Sequence, residues 1–151
     1  MSDLSNLYQD VILDHSKRPR NFHPNPDADH HANGYNPLCG DKVTIFLTLQ
    51  DDHIKDISFQ GSGCAISTAS ASILTETLKG KTRAEAEAIF EVFHGLVTGH
   101  PVESTGAPAL GKLAVFSGVC EFPVRVKCAS LAWHTLKSAL DSGPAEVSTE
   151  K

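Results

Sequence analysis

The sequence lacks any long hydrophobic run and any excess of basic charge. No stretch of 18 apolar residues occurs in the 151-residue chain, although a helix that crosses a bilayer needs about that many. The N-terminal stretch MSDLSNLYQDVILDHS is too polar for the core of a signal peptide. Its 13 basic residues are outnumbered by 18 acidic ones, and the net charge of −5 argues against a broad phosphate-binding face. We therefore expect a cytoplasmic protein that binds neither nucleic acid nor a membrane.

Regularly spaced metal and nucleotide motifs are also missing. The four cysteines include no C-x-x-C pair and match no zinc-finger spacing. The stretch GSGC lacks the lysine and the full spacing of a P-loop. Because thiols stay reduced in the cytosol, a disulfide between Cys64 and Cys128 is not expected. From spacing alone, the signal for a metal site is weak.

The residues that are present suit one domain. Hydrophobic residues make up 40% of the chain, which is enough for a core at this length. The sequence shows no internal repeat and no dividing linker. We predict a single domain over residues 1–140 and a flexible C-terminal tail over residues 141–151.

The apolar periodicity predicts helices and strands in separate parts of the chain. SDLSNLYQDVILDHSK reads as a helix that Pro19 ends, and the proline-rich residues 19–38 read as a loop. DKVTIFLTLQ and HIKDISFQG alternate and predict a hairpin that turns at Asp51 and Asp52. Three helices follow: CAISTASASILTETL, one after the capping box TRAE, and one that opens at Cys128. This order predicts an α+β fold, with a small antiparallel sheet packed against several helices.

Three of the cysteines have settings that favour thiolate chemistry. Cys39 and Asp41 flank Gly40 on a turn, whereas Cys64 and Cys128 are each predicted to open a helix. The positive end of a helix dipole lowers the pKa of a thiol placed there. Three thiolates and one carboxylate make four ligands, which is the usual number for zinc. The alternative is that these cysteines are small buried hydrophobic residues, and we interpret Cys120 in that way.

Three segments and the first helix resemble a known family. NPLCGD, GSGCAISTASASIL and FPVRVKCASLAWHTL are similar to the cysteine motifs of the IscU/SufU family of iron–sulfur cluster assembly proteins. LYQDVILDHSKRPRNF is similar to that family's first helix, so the likeness runs from about residue 4 to residue 140. The extra segment over residues 81–102, and Lys127 where IscU has a histidine, resemble the SufU branch.

The resemblance implies a metal centre and a partner. It implies the fold of IscU and SufU, and one zinc ion per chain held by Cys39, Asp41, Cys64 and Cys128. It implies that a pyridoxal-phosphate cysteine desulfurase hands sulfur, as a persulfide, to Cys39. Arg125 would lie near the metal and help the partner engage. Because a carboxylate is a less natural zinc ligand than a thiolate, we hypothesise that Asp41 keeps the site exchangeable, so that Cys39 can leave the metal.

Two further functions stay open. In the first, the chain is a non-enzymatic scaffold on which Cys39, Cys64 and Cys128 assemble a [2Fe–2S] cluster from iron and sulfur. That cluster would pass to a downstream iron–sulfur scaffold or to acceptor apoproteins. In the second, the chain is a zinc-stabilised interaction domain without sulfur chemistry. Sulfurtransferase-type activity is expected only for the zinc-dependent acceptor.

Overall fold

Helices and strands occupy separate parts of the chain in the computed structural model. It describes residues 2–37, 40–98, 113, 115–116, 123–140 and 146–148, and of residues 2–8, 123–124 and 146–148 only the backbone. The elements are α1 (Ser2–Lys17), β1 (His30–Asn36), β2 (Asp41–Gln50), β3 (His53–Ser62), α2 (Ala65–Leu78), α3 (Arg83–Thr98), α4 (Pro123–Leu140) and β4 (Glu146–Ser148). The strands form one sheet in the order β3-β2-β1-β4, with β1, β2 and β3 antiparallel. The predicted α+β class is confirmed. Within the described part of the chain, no helix combines the length and apolarity that a membrane crossing requires.

The predicted hairpin between β2 and β3 is confirmed. Its turn residues Asp51 and Asp52 both have positive φ, 52° and 65°, which is the turn geometry that matches the twist of paired strands. A register shift beside Thr48 leaves one extra residue on β3. This bulge explains why Ile54 and Ile57, three positions apart, are both buried.

Strand β1 replaces part of the loop expected over residues 19–38, and that expectation is wrong for His30–Asn36. The strand pairs antiparallel with β2 along its whole length. Its inward positions are Ala32, Gly34 and Asn36, which are too small or too polar to give the alternation typical of a strand. Gly34 lets α4 approach, because a Cβ atom there would collide with Thr135 Oγ1.

Strand β4 adds a short fourth strand to the sheet. It pairs in parallel with the Asn33–Tyr35 part of β1. Its residues belong to the segment 141–151, for which the sequence indicates a flexible tail. The open edge of β1 supplies the backbone donors and acceptors that a three-residue strand needs.

Helix α4 begins at Pro123 and not at Cys128. Proline suits the first helical position, since it has no N–H to leave unpaired and its φ is already helical. Cys128 therefore lies in the second turn, with 2% of its surface exposed. The prediction that Cys128 opens a helix is wrong, and the helix-dipole argument holds for Cys64 alone.

The remaining helix boundaries follow the sequence signals. Helix α2 ends before Gly80, which has a φ of 87°. In the capping box the Thr82 N–H donates to Glu85 Oε1 at 2.9 Å, and the Glu85 N–H donates to Thr82 Oγ1 at 3.1 Å. Helices α2 and α4 pack on each other, and α4 also packs against β1 and β2. Asn36 at the end of β1 pairs with Asp41 at the start of β2, and both lie at one end of the sheet.

Candidate metal centre

Three elements bring a carboxylate and two thiols together at this end of the sheet. Asp41 begins β2, Cys64 precedes α2, and Cys128 lies in α4. One ligand atom from each lies within 4.8 Å of the other two. Among the residues that the structure describes, only these three form such a group of potential metal ligands. The sequence predicted these three as ligands, and the structure places them side by side.

The carboxylate of Asp41 is held in one orientation. It is fully buried, and its Oδ1 accepts a hydrogen bond from the Cys64 backbone N–H at 2.9 Å. Its Oδ2 lies 4.0 Å from Cys64 Sγ. Gly63 makes room for it, because a Cβ atom there would lie 2.6 Å from Asp41 Oδ1. One oxygen is thus tied to the backbone, and the other points toward the thiols.

Cys64 is the N-cap of α2, as the sequence indicated. Its Sγ accepts a hydrogen bond from the Ser67 backbone N–H at 3.4 Å. The pKa of the Cys64 thiol is lowered to about 6, first by a hydrogen bond with the Cys128 thiol and then by the backbone N–H groups of Ser67 and Ile66. Partial burial and the charge of Asp41 oppose this shift. The lowered pKa favours the thiolate of Cys64, the form that binds metals and reacts.

Asn36 is a site residue that the sequence analysis missed. It is fully buried, and its Nδ2 donates to Asp41 Oδ2 at 3.2 Å and to Cys128 Sγ at 3.6 Å. The signal available in the sequence was its place as the first residue of NPLCGD. Asparagine is common in turns, so its position in this segment does not by itself indicate a role at the centre.

The donor set fits a zinc ion. Tetrahedral zinc with thiolate and carboxylate ligands holds the ligand atoms roughly 3.5–3.8 Å apart. The 4.0 Å between Cys64 Sγ and Asp41 Oδ2 needs only a small side-chain movement to match. Two sulfur ligands also suit iron–sulfur clusters. The described residues supply three ligands, so one more donor would complete a tetrahedral site.

Cys39 and Arg125 are the two other residues that the sequence predicts for the site. Cys39 lies outside the described residues. Arg125 is exposed in the first turn of α4, three residues before Cys128. Residues three apart on a helix share a side, so Arg125 and Cys128 lie on the same side of α4.

The fold and this centre together define an α+β domain that offers cysteine and aspartate ligands to a metal ion or cluster. The family model described as the NifU-like N-terminal domain matches residues 7–142. The chain belongs to that family.

Similar proteins carry the names IscU and SufU, which confirms the family resemblance seen in the sequence. The chain is 41% identical over 140 residues to the iron-sulfur cluster assembly scaffold protein IscU of Streptococcus pyogenes serotype M1, covering 93% of this chain and 86% of that protein. It is 37% identical over 139 residues to the zinc-dependent sulfurtransferase SufU of Bacillus subtilis, covering 92% of each. A solved structure, described as an iron-sulfur cluster assembly scaffold protein for the SUF system from Fervidobacterium islandicum AW-1, has a TM-score of 0.79 at 35% identity. The match covers 86% of this chain and 93% of the chain in that structure.

Proposed function

We propose that this protein acts in iron–sulfur cluster assembly as a zinc-dependent sulfur acceptor for a pyridoxal-phosphate cysteine desulfurase. The observation that carries the proposal is the compact group of Asp41, Cys64 and Cys128, in which the pKa of Cys64 is lowered to about 6. The similarity to a zinc-dependent sulfurtransferase over 92% of the chain supports it. The cytosol, where thiols stay reduced, is the proposed location.

Cys39, Asp41, Cys64 and Cys128 would hold one zinc ion, which keeps thiol ligands deprotonated near neutral pH. Cys64 caps a helix and Cys128 is buried within one, so both are fixed by the fold. Cys39 stands two residues before Asp41 and directly before Gly40, whose φ is 71°. We assign the acceptor role to Cys39 because the resemblance to the SufU branch implies it and because Cys64 and Cys128 are each anchored at or within a helix.

The sulfur transfer needs no outside oxidant. The Cys39 thiolate attacks the terminal sulfur of a persulfide on the desulfurase, and a new S–S bond forms on Cys39. The S–S bond of the desulfurase breaks, and its electron pair leaves on the desulfurase cysteine as a thiolate. Asp41 is proposed to keep the site exchangeable, so that Cys39 can leave the metal for this attack.

Positive side chains on α4 are proposed to aid the partner. Four anionic ligands outweigh the two positive charges of zinc, and Arg125 and Lys127 lie in the turns next to Cys128. An exposed arginine on the same side of the helix as a metal ligand is suited to meet a partner that approaches the centre. The role of Arg125 in partner engagement rests on this placement.

A second candidate is a scaffold for a [2Fe–2S] cluster bound by Cys39, Cys64 and Cys128. The similarity to an IscU scaffold over 93% of the chain favours it. Such a scaffold would hand the cluster to acceptor apoproteins. Protein purified without air would then be brown, whereas the zinc-dependent acceptor would be colourless with one zinc per chain.

Desulfurase turnover tests the proposal. Alanine release from cysteine is measured with no addition, with the zinc-loaded wild type, and with Cys39→Ser whose zinc content has been checked. Cys120→Ser, predicted to alter only a packing residue, is the matched control. Stimulation by the wild type and by Cys120→Ser, lost in zinc-loaded Cys39→Ser, is the expected result.

Two results would contradict the proposed transfer of sulfur to Cys39. No stimulation by a fully metallated wild type would reject sulfur transfer with that desulfurase and favour the scaffold. Full stimulation by Cys39→Ser would leave Cys39 with a role in stability alone, as in a zinc-stabilised interaction domain.

A further inference from the structure

The side chain of Asn36 lies between two of the ligands. Asn36 ends β1 directly opposite Asp41, its register partner on β2. Its Nδ2 is 3.2 Å from Asp41 Oδ2 and 3.6 Å from Cys128 Sγ. The residue is fully buried. One amide group therefore connects a ligand from the sheet with a ligand from α4.

The chemistry of the amide matches what it faces. A side-chain amide has two N–H donors, whereas an ionised carboxylate or thiolate can only accept. Hydrogen bonds to ionised acceptors are stronger than those between neutral groups. Residues that hydrogen-bond to metal ligands orient them and tune the electron density that they give to the metal.

We propose that Asn36 is a positioning residue that fixes Asp41 and Cys128 as permanent ligands of the centre. An N–H donated to Cys128 Sγ withdraws electron density from that sulfur, which makes it a poorer nucleophile toward a persulfide. The same amide donates to Asp41 Oδ2 and would keep that oxygen in place for a bound metal. Asn36 thereby helps to exclude Cys128 from sulfur acceptance, while Cys64 is held as the N-cap of α2 and Cys39 is left as the acceptor. This inference rests on the proposed zinc-dependent function.

The same strand offers a matched control. Asn33 lies three residues earlier on β1 and is exposed on the opposite face. Its Oδ1 accepts a hydrogen bond from Thr44 Oγ1 at 2.6 Å, away from the centre. Asn33→Ala and Asn36→Ala remove the same atoms from one strand, but only the second change removes donors to the ligands.

Two measurements on protein loaded with a metal, made without any desulfurase, test the proposal. The first is the rate at which Zn²⁺ passes to a chromogenic chelator. The second is the thiolate-to-metal charge-transfer band of the Co²⁺-substituted protein. We expect Asn36→Ala to release zinc about 10- to 100-fold faster and to shift the band to longer wavelength, because the sulfur electrons rise in energy without the N–H donor. Asn33→Ala should match the wild type in both.

A packing role alone would lower the melting temperature of Asn36→Ala and leave the band unmoved. That result, or zinc release at the wild-type rate, overturns the proposal. If Asn36→Ala does not fold, Asn36→Leu keeps the approximate shape of the side chain but removes both donors and adds no ligand atom, and it should also release zinc faster. Zinc release by folded Asn36→Leu at the wild-type rate overturns the proposal equally.

The outcomes separate this inference from the proposed function. A wild type that binds zinc tightly but never stimulates a desulfurase contradicts sulfur transfer, and the role of Asn36 at the zinc site can still hold. A wild type that stimulates, with Asn36→Ala unchanged in release and spectrum, contradicts the role of Asn36 alone. A wild type that retains neither Zn²⁺ nor Co²⁺ overturns both.

Discussion

Two neighbouring parts of helix α4 are held in the molecule by different forces, and we call the part around Cys128 the polar end and the part around Trp133 the aromatic end. Near the start of the helix, Cys128 faces Asn36, Asp41 and Cys64, so buried polar and ionisable groups meet there. One to two turns later, Trp133 stacks on Phe93, with ring centroids 4.9 Å apart. Aromatic packing of this kind is favourable without any ligand. The charge of Asp41 acts to raise the pKa of Cys64, so a cation bound between these groups would stabilise the polar end, whereas the aromatic end gains nothing from one.

Zinc removal should destabilise the polar end and leave the aromatic end folded. We expect this to be the largest of the effects predicted here. Structural zinc contributes on the order of 10 kcal/mol of apparent binding free energy. Amide hydrogen exchange should accelerate at the start of β2, the start of α2 and the first turns of α4. The single tryptophan, Trp133, which is fully buried, should keep the fluorescence of a buried indole. An emission spectrum like that of the unfolded chain would show that the aromatic end is not independent.

Truncation of a side chain at the aromatic end should lower the stability of the fold but leave zinc binding intact. Trp133→Ala removes a fully buried indole and should lower the free energy of unfolding by about 3–5 kcal/mol. The folded variant should still bind one zinc. Leu13→Ala, at a side chain with 48% of its surface exposed, is the control and should stay within about 0.5 kcal/mol of the wild type. Denaturant titration with zinc quantification measures both, and loss of zinc from folded Trp133→Ala would break the comparison.

A methyl group beside Asp41 should weaken the polar end alone. In Gly63→Ala the new Cβ would lie 2.6 Å from Asp41 Oδ1, so the carboxylate must move. We expect zinc affinity to fall by about 10- to 100-fold, as for other changes next to metal ligands. Gly80→Ala is the control, since a Cβ there meets no atom within 4 Å but its φ of 87° is strained. That variant should lose stability and keep its zinc affinity. Equal affinities in the two variants would contradict the account of Asp41.

Lowering the pH should destabilise the polar end, and we expect this effect to be the smallest of the four. The pKa of the Cys64 thiol is lowered from 9.0 to about 6, so the ionised thiol stabilises the fold. That contribution is fully present above the unfolded-state pKa and is lost as the pH falls through about 6. In zinc-free protein the alkylation rate of Cys64, followed by peptide mass spectrometry, should be half-maximal near pH 6. A midpoint near that of an ordinary thiol would show that the contacts to Cys128 and Ser67 do not favour the thiolate.

The elements of the fold differ in how far the sequence reveals them. The hairpin, the end of α2 at Gly80 and the start of α3 follow from local signals such as the TRAE capping box, and these were predictable. Strand β1 was not, because its inward residues Ala32, Gly34 and Asn36 are small or polar and give no apolar alternation. Helix α4 starts at Pro123, five residues before the predicted start at Cys128, because proline suits the first helical position.

The centre was predictable in its residue types but not in its contacts. Asp41 and Cys64 stand in short segments whose glycines and helix start suggested chemistry. Asn36 gave no such signal, because its hydrogen bonds depend on the β1–β2 register and on the approach of α4. The contact with Cys128 joins residues 92 positions apart in the chain, and local sequence patterns do not encode it.

Mapping the persulfide tests the central claim most directly. Zinc-loaded protein is mixed with a cysteine desulfurase and cysteine, and the thiols are then trapped with an alkylating reagent. Mass spectrometry measures the masses of the peptides that contain Cys39, Cys64 and Cys128. The account predicts one added sulfur atom on the Cys39 peptide and none on the other two. An added sulfur on Cys64 or Cys128, with Cys39 unmodified, would contradict it.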